Sequence, residues 1–275
     1  MNAPAPHLPN VRADRNGAIL VITINRPAAR NALTPEMLCR LADAFVTFRN
    51  DRDLRVAVLT GSGHIAFCAG GDLGSTLPLL TGARAAADEW DGRVMNEPQV
   101  MAASSLRGFD LDKPVIAAIN GACLAAGFEL MLGTDIRIAA SHASFGLPEV
   151  QRGLIPFAGS MVRLPRQVPQ ALAMEIMLAG RPINAQRALQ AGLINEVLPP
   201  EQVLPRALEL ASQIAANGPL AVQQVKRTVL AASGTSLADG YAVEDESSRT
   251  IFASTDAKEG PLAFMEKRPP RFTGK

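Results

Sequence analysis

The chain has 275 residues, 48% hydrophobic and 19% charged, with a formal net charge of +1. This is an ordinary globular composition, long enough to bury a large core in one or two domains. The near-zero charge leaves no broad electrostatic footprint for nucleic acid. Cys39, Cys68 and Cys123, like His7, His64 and His142, are scattered, so neither a disulfide framework nor a zinc site is expected.

The opening MNAPAPHLPN has no basic start and no apolar stretch. It reads as a Pro-rich disordered tail over 1–10 rather than a secretory signal. Residues 17–25, GAILVITIN, alternate like a half-buried strand. Thr34-Pro35 is a helix start, and Met37, Leu38, Leu41, Phe45 and Phe48 mark one face of the helix that follows. RVAVLT (55–60) is a second strand running into GSGHIAFCAGGD, and 75–110 reads as mixed helix and loop. After Lys113-Pro114 come a third strand, VIAAIN, and a buried helix over roughly 123–132. DIRIAA (135–140) and ASFG are further strands. Their apolar runs are broken by Asn, Gly and Glu and do not form a membrane span. Strands alternating with helices give an α/β core over 11–198. Beyond it, 201–217, 219–232, 235–253 and 256–266 all read as helices, in a helical region over 199–275 whose apolar faces call for a partner subunit.

Three stretches carry candidate chemistry. FCAGGDL (67–73) runs from a strand through small residues to an acid before a helix, which makes either an anion-accepting corner of backbone N–H groups or a tight packing turn. INGACLAAGFELML (119–132) places Glu129 in an apolar helix. A buried carboxylate must be paired, hydrogen-bonded or neutralised; Arg137 and Arg152 are the structural partners to weigh against a catalytic role. FGLPEVQRGLIP (145–156) carries Glu149 in a loop, where carboxylates are ordinarily solvated. Together, two carboxylates and two backbone corners meet the needs of proton transfer beside a thioester carbonyl.

These stretches resemble the crotonase superfamily, the enoyl-CoA hydratase/isomerase family. The matching text runs from INRPAARNALTPEM through FCAGGDL, KPVIAAINGACLAAGFEL, FGLPEVQRGLIP and AMEIMLAGRPINAQRALQAGLINEV to EGPLAFMEKRPPRF, nearly the whole chain. The resemblance implies a spiral of β-β-α units with a C-terminal helical trimerisation region, assembled as a homotrimer or a hexamer. It implies an acyl-CoA thioester substrate, with coenzyme A as part of the substrate and no separate cofactor, metal, nucleic acid or membrane partner. The thioester oxygen would be held by the N–H groups of Gly71 and Ala126. Glu129 would orient and deprotonate water, and Glu149 would exchange the proton at the α-carbon. Arg26, Ala28 and Arg30, with Ala69, Gly70, Asp72 and Leu73, would flank the CoA. Gly121 and Phe157 join the binding set, and Phe264 and Lys267 match positions that reach the nucleotide end, in some relatives from a neighbouring subunit.

Possession of both glutamates points to reversible hydration of a trans-2-enoyl-CoA in the cytoplasm. Isomerisation, dehydration of a carnitinyl-type thioester and hydratase–aldolase chemistry are the alternatives on the same fold. Two positions depart from the family pattern. Ala126 stands in a run that is usually richer in glycine, which is harmless only if its backbone does not need φ > 0. Phe157 stands in a run of small residues, where it would narrow the acyl pocket. Three rival classes are weighed. Gly61, Gly63 and Ala66 fit G-x-G-x-x-A of a dinucleotide site, but no helix opens at those glycines. Cys68 with His64 would be a cysteine hydrolase, without an evident orienting acid or amide. A non-catalytic RNA-binding relative is disfavoured by charge.

Overall fold

The structure is a computed structural model and describes residues 8–275. The tail expected over 1–10 falls mostly on 1–7, outside the described residues.

The described chain begins with a hairpin of β1 (Val11–Asn16) and β2 (Ile19–Ile24). A 3-10 turn over Pro27–Ala29 leads to α1 (Pro35–Asn50). Its cap is the expected one: the Thr34 hydroxyl accepts from Met37 N–H at 3.3 Å, and Pro35 opens the helix. Next come β3 (Val56–Gly61), β4 (Ala66–Cys68) and three short helices, α2 (Thr76–Leu80), α3 (Glu89–Asn96) and α4 (Pro98–Ser105). The following unit is β5 (Val115–Ile119), β6 (Ala122–Leu124) and α5 (Ala126–Met131). Another is β7 (Ile136–Ala140), β8 (Ser144–Gly146), a 3-10 turn over Pro148–Arg152, α6 (Ser160–Gln167) and α7 (Gln170–Ala179). The core closes with β9 (Ile183–Asn184), α8 (Ala185–Gln190) and β10 (Glu196–Leu198). Four helices end the chain: α9 (Pro200–Ala215), α10 (Pro219–Ala232), α11 (Leu237–Phe252) and α12 (Asp256–Met265).

The strands divide between two sheets, one of order β1-β2-β3-β5-β7-β10 and a smaller one of order β4-β6-β8-β9. The three middle units repeat one path: β3, β5 and β7 lie in the large sheet, and β4, β6 and β8, which follow them, lie in the small one. Each pair then gives way to helix. Neighbouring strands within both series run parallel. This is the expected spiral of β-β-α units. β3 and β5 are buried along their whole length, as parallel strands covered on both faces must be. The helix expected over 123–132 is two elements: 122–124 is the strand β6, and α5 starts only at Ala126. β1, which carries mostly exposed polar residues, was not foreseen.

α9 packs against β3, β5 and β7, which anchors the helical region to the core. α10 and α11 pack on each other and bury no residue fully. They and α12 expose Val225, Val229, Leu237, Tyr241, Phe252 and Phe264.

Candidate active site

Three stretches distant in sequence meet because their strands are neighbours. β4, β6 and β8 lie side by side in the small sheet, with Cys68 opposite Cys123 and Leu124 opposite Gly146. The chain leaves their C-terminal ends at 69–72, 125–126 and 147–149, so all three stretches line one edge of that sheet. The crevice outside the carboxyl ends of parallel strands is where α/β sheets present ligand sites.

At the first strand end, 69–72 is zipped to the loop 30–33. Ala69 N–H donates to Arg30 O at 3.1 Å, Leu33 N–H to Gly70 O at 2.8 Å, and Asp72 N–H to Leu33 O at 2.8 Å. In this short parallel ladder the donors on either side of Gly71 are engaged, and Gly71 N–H faces away from it, on the wall of the pocket. At the second strand end, Ala126 is the first residue of α5, and its N–H has no intrahelical acceptor. The backbone at Ala126 does not take φ > 0. The unusual backbone falls one residue earlier, at Ala125, with φ 49° and ψ −128°. That geometry costs about 1–3 kcal/mol for a residue with a Cβ. The two corners touch at Gly70, whose φ is +107° and where an added Cβ would sit 2.6 Å from Ala125 Cβ and 3.6 Å from Ala126 N. Only glycine fits there. Two N–H groups without a protein acceptor thus lie on the wall of one cavity.

Glu129 follows on α5 and is 2% exposed. Its Oε1 accepts from Ala158 N–H at 2.7 Å, from the Ser160 hydroxyl at 2.9 Å and from Ser160 N–H at 3.4 Å. Burial raises its pKa above the ordinary glutamate value, and these hydrogen bonds work against that rise. The partners weighed in the sequence are absent. Arg137 spends its guanidinium on Leu193 O, Leu132 O and Thr134 O, and Arg152 donates to Pro148 O.

Glu149 sits in the 3-10 turn after β8. Its Oε2 is buried and has no hydrogen-bond partner. Burial, with the negative charge of Glu129 adding to it, pushes its pKa up to about 7. It is not the solvated loop carboxylate that a sequence reading would ordinarily assume. The two carboxylates face one cavity from opposite hydrogen-bonding states, one anchored and one unanchored. Burial raises both, and they differ in the donors that oppose the rise.

The cavity holds about 370 Å³. It brings together Glu129, Glu149, Gly71, Ala126, Arg30, Ala69, Leu73 and Phe157 from the expected set. Phe157 is 47% exposed and stands at the rim rather than plugging the interior, with its carbonyl held by Arg107 at 2.7 Å. Arg26 and Asp72 brace the site from outside the lining. Arg26 Nη1 lies 2.6 Å from Asp72 Oδ2, and Asp72 Oδ1 accepts from Gly74 N–H, Ser75 N–H and the Ser75 hydroxyl. Burial opposes ionisation of Asp72, but Arg26 and these donors outweigh it and hold the carboxyl below its usual range. Ala28 is exposed in the adjoining 3-10 turn. Gly121 does not reach the cavity. It packs against the backbone of Ile65 and Ala66, where a Cβ would collide. Phe264, 85% exposed on α12, and Lys267 just after it are also outside the lining. No motif marked Ser160, which anchors Glu129, or the wall formed by Leu38, Leu77, Leu80, Met101 and Ser104.

The rival chemistries find little to work with. Cys68 is fully buried and its thiol is pushed up to about 12 by burial, while the His64 carbonyl accepts from His142. After Gly61 and Gly63 comes β4, and helix begins only at Thr76. Among the described residues there is no cluster of His, Cys, Asp and Glu fit to hold a metal ion, and no helix is long and apolar enough to cross a membrane.

Comparison with known proteins agrees with this geometry. The family model described as enoyl-CoA hydratase/isomerase matches residues 14–275. The chain is 42% identical over 264 residues to an enoyl-CoA hydratase of Mycobacterium tuberculosis, with 96% of each chain covered. It is 40% identical over 269 residues to a carnitinyl-CoA dehydratase of Salmonella arizonae, covering 96% of this chain and 98% of that one. Among solved structures, an enoyl-CoA hydratase of Mycobacterium marinum superposes with a TM-score of 0.85 at 41% identity, over 98% of this chain and 100% of the other. One from Bacillus anthracis gives 0.86 at 35% identity, over 97% and 100%.

Proposed function

Because the chain belongs to the enoyl-CoA hydratase/isomerase family, we propose that it is a hydro-lyase that adds water reversibly across a trans-2-enoyl-CoA to give a 3-hydroxyacyl-CoA. The observation that carries this reading is the pair of carboxylates, one anchored and one unanchored, beside two free backbone donors in one cavity.

The thioester oxygen accepts from Gly71 and Ala126 N–H, which hold the charge that develops there as the β-carbon is attacked. Glu129, ionised and fixed by Ala158 and Ser160, takes a proton from water as the water oxygen bonds to the β-carbon. The alkene electron pair passes into the enolate. Glu149, whose pKa of about 7 leaves a large share of molecules protonated at neutral pH, delivers its proton to the α-carbon. Dehydration runs the same path backwards. The carboxylate pair carries one proton in total at the start of either direction, on Glu149 for hydration and on Glu129 for dehydration. Coenzyme A is thus the handle of the substrate rather than a separate cofactor. Arg30, Ala69 and Leu73 flank it on the cavity wall, with Arg26, Ala28, Gly70 and Asp72 behind.

The exposed apolar faces of α10 to α12 support assembly of the chain with copies of itself, as a trimer or a hexamer of two trimers. Phe264 and Lys267 then serve a neighbouring subunit's nucleotide end. Three buried, unpaired cysteines support work in the reducing cytoplasm.

The carnitinyl-CoA dehydratase relatives favour one second reading, loss of water from a cationic hydroxyacyl thioester. A quaternary ammonium needs a counter-charge or an aromatic face. The cavity's acidic residues are the two reacting glutamates, and its one aromatic, Phe157, stands at the rim. A spectrophotometric screen following the conjugated thioester separates the readings. Crotonyl-CoA and longer enoyl-CoAs should be consumed, and a trimethylammonium-bearing enoyl-CoA only weakly. Turnover confined to the cationic substrate would overturn the hydratase reading in favour of the second.

A further inference from the structure

Ser104 lies on α4 and lines the cavity together with Leu77, Leu80 and Met101, yet it is 2% exposed and its hydroxyl has no partner. A buried hydroxyl without a hydrogen bond costs about 1–3 kcal/mol. A serine in a helix has an easy remedy, which is to donate to the carbonyl one turn back. Its neighbour Ser105 does this, donating to Met101 O at 2.6 Å. Ser104 does not. The only other buried unpartnered side-chain atom among the cavity residues is Oε2 of Glu149, the acid of the proposed reaction. The other hydroxyls of the lining, on Thr76 and Ser105, are already engaged with Leu33 O and Met101 O, so a purely alkyl chain would leave the Ser104 hydroxyl orphaned and a polar one would complete it.

We infer that Ser104 is a specificity-determining residue whose hydroxyl bonds an oxygen on the acyl chain beyond the reacting carbons, so that the preferred substrates are hydroxyl- or carbonyl-bearing acyl-CoAs rather than plain fatty acyl-CoAs. This rests on the acyl-CoA reading of the cavity. Sites built to hydrogen-bond a substrate group discriminate strongly against analogues that lack it, because their own polar atom is left unpaired.

The test is calorimetric binding of saturated ω-hydroxyacyl-CoAs of four to six carbons, each against the isostere with a methyl group in place of the hydroxyl. None of these ligands can be hydrated, so binding is read apart from turnover. In the wild type the hydroxyl ligand should bind about tenfold more tightly than its isostere at one chain length. Ser104→Ala should erase that preference while leaving affinity for the methyl isostere unchanged or improved. Alanine favours the helix, so folding is not at risk. A methyl ligand that binds as well at every length, or a preference that survives Ser104→Ala, overturns the proposal. Crotonyl-CoA turnover measured on the same samples reports on the hydratase reading separately. Its failure with the binding preference intact would discard the reaction and keep Ser104's role.

Discussion

The two carboxylates come from regions built on opposite plans. Around Glu129 everything is tied down. It stands in α5, its Oε1 takes three donors from Ala158 and Ser160, and it is closed off from solvent. Around Glu149 the 3-10 turn leaves Oε2 buried without a partner. The difference teaches that burial alone does not assign a proton. Both groups are raised by desolvation, but three donors on Glu129 favour its charged form, while Glu149 sets only its own backbone N–H and the charge of Arg152 against its burial and the nearby charge of Glu129. In the proposed mechanism the base is the carboxylate the fold has already satisfied, and the acid is the one whose Oε2 it has not.

Breaking either side of that contrast should have the largest effect. Glu129→Gln and Glu149→Gln keep the volume and remove the proton-transfer group. Each should lower kcat for crotonyl-CoA by about a hundredfold to ten-thousandfold. Dissociation constants for the CoA ester should be nearly unchanged in calorimetry. Next in size is Gly70→Ala, which touches neither carboxylate. The new methyl would meet Ala125 Cβ at 2.6 Å on a backbone with φ +107°, displacing the two N–H donors from each other. Turnover should drop by about a hundredfold to a thousandfold, the scale of a lost oxyanion donor, with a lower melting temperature.

Ser160→Ala sharpens the contrast rather than breaking it. One of the three donors on Glu129 goes, so the acid limb of the pH–kcat/KM profile should move up and kcat should fall by about tenfold. The smallest effect belongs to Ala125→Gly. It relaxes the positive φ at the helix start and should stabilise the protein by about 1 kcal/mol in denaturant unfolding, with turnover close to wild type.

Much of the fold was legible because its central strands are apolar runs ended by small residues. β1 was not, since VRADRN lies at the sheet edge with its side chains mostly in solvent and no hydrophobic rhythm to mark it. β6 was merged with α5 because ACLAAGFEL is apolar throughout. The break depends on a strained alanine, where a glycine would have signalled it. Glu129 declared itself as an acid in that apolar run, and Glu149 gained meaning only through family resemblance. Ser160 and Ser104 gave no local signal. Ser160 matters through a contact with a residue 31 positions away, and Ser104 through a buried hydroxyl left without a partner on a residue that lines the cavity. Gly121 was expected in the binding set through the resemblance, and what it makes is a close backbone approach to Ile65.

The most direct test of the division between Glu129 and Glu149 is the pH dependence of kcat/KM for crotonyl-CoA, which reports the free enzyme. A pair that must carry one proton gives a bell, and because both directions start from that singly protonated pair they share it. The acid limb, where the second proton adds, should lie above the ordinary glutamate value of 4.5, and the alkaline limb, where the last proton leaves, should fall at about pH 7. A rate that stays flat from pH 6 to 9 would show that turnover needs no group that loses its proton near pH 7, and would contradict the account.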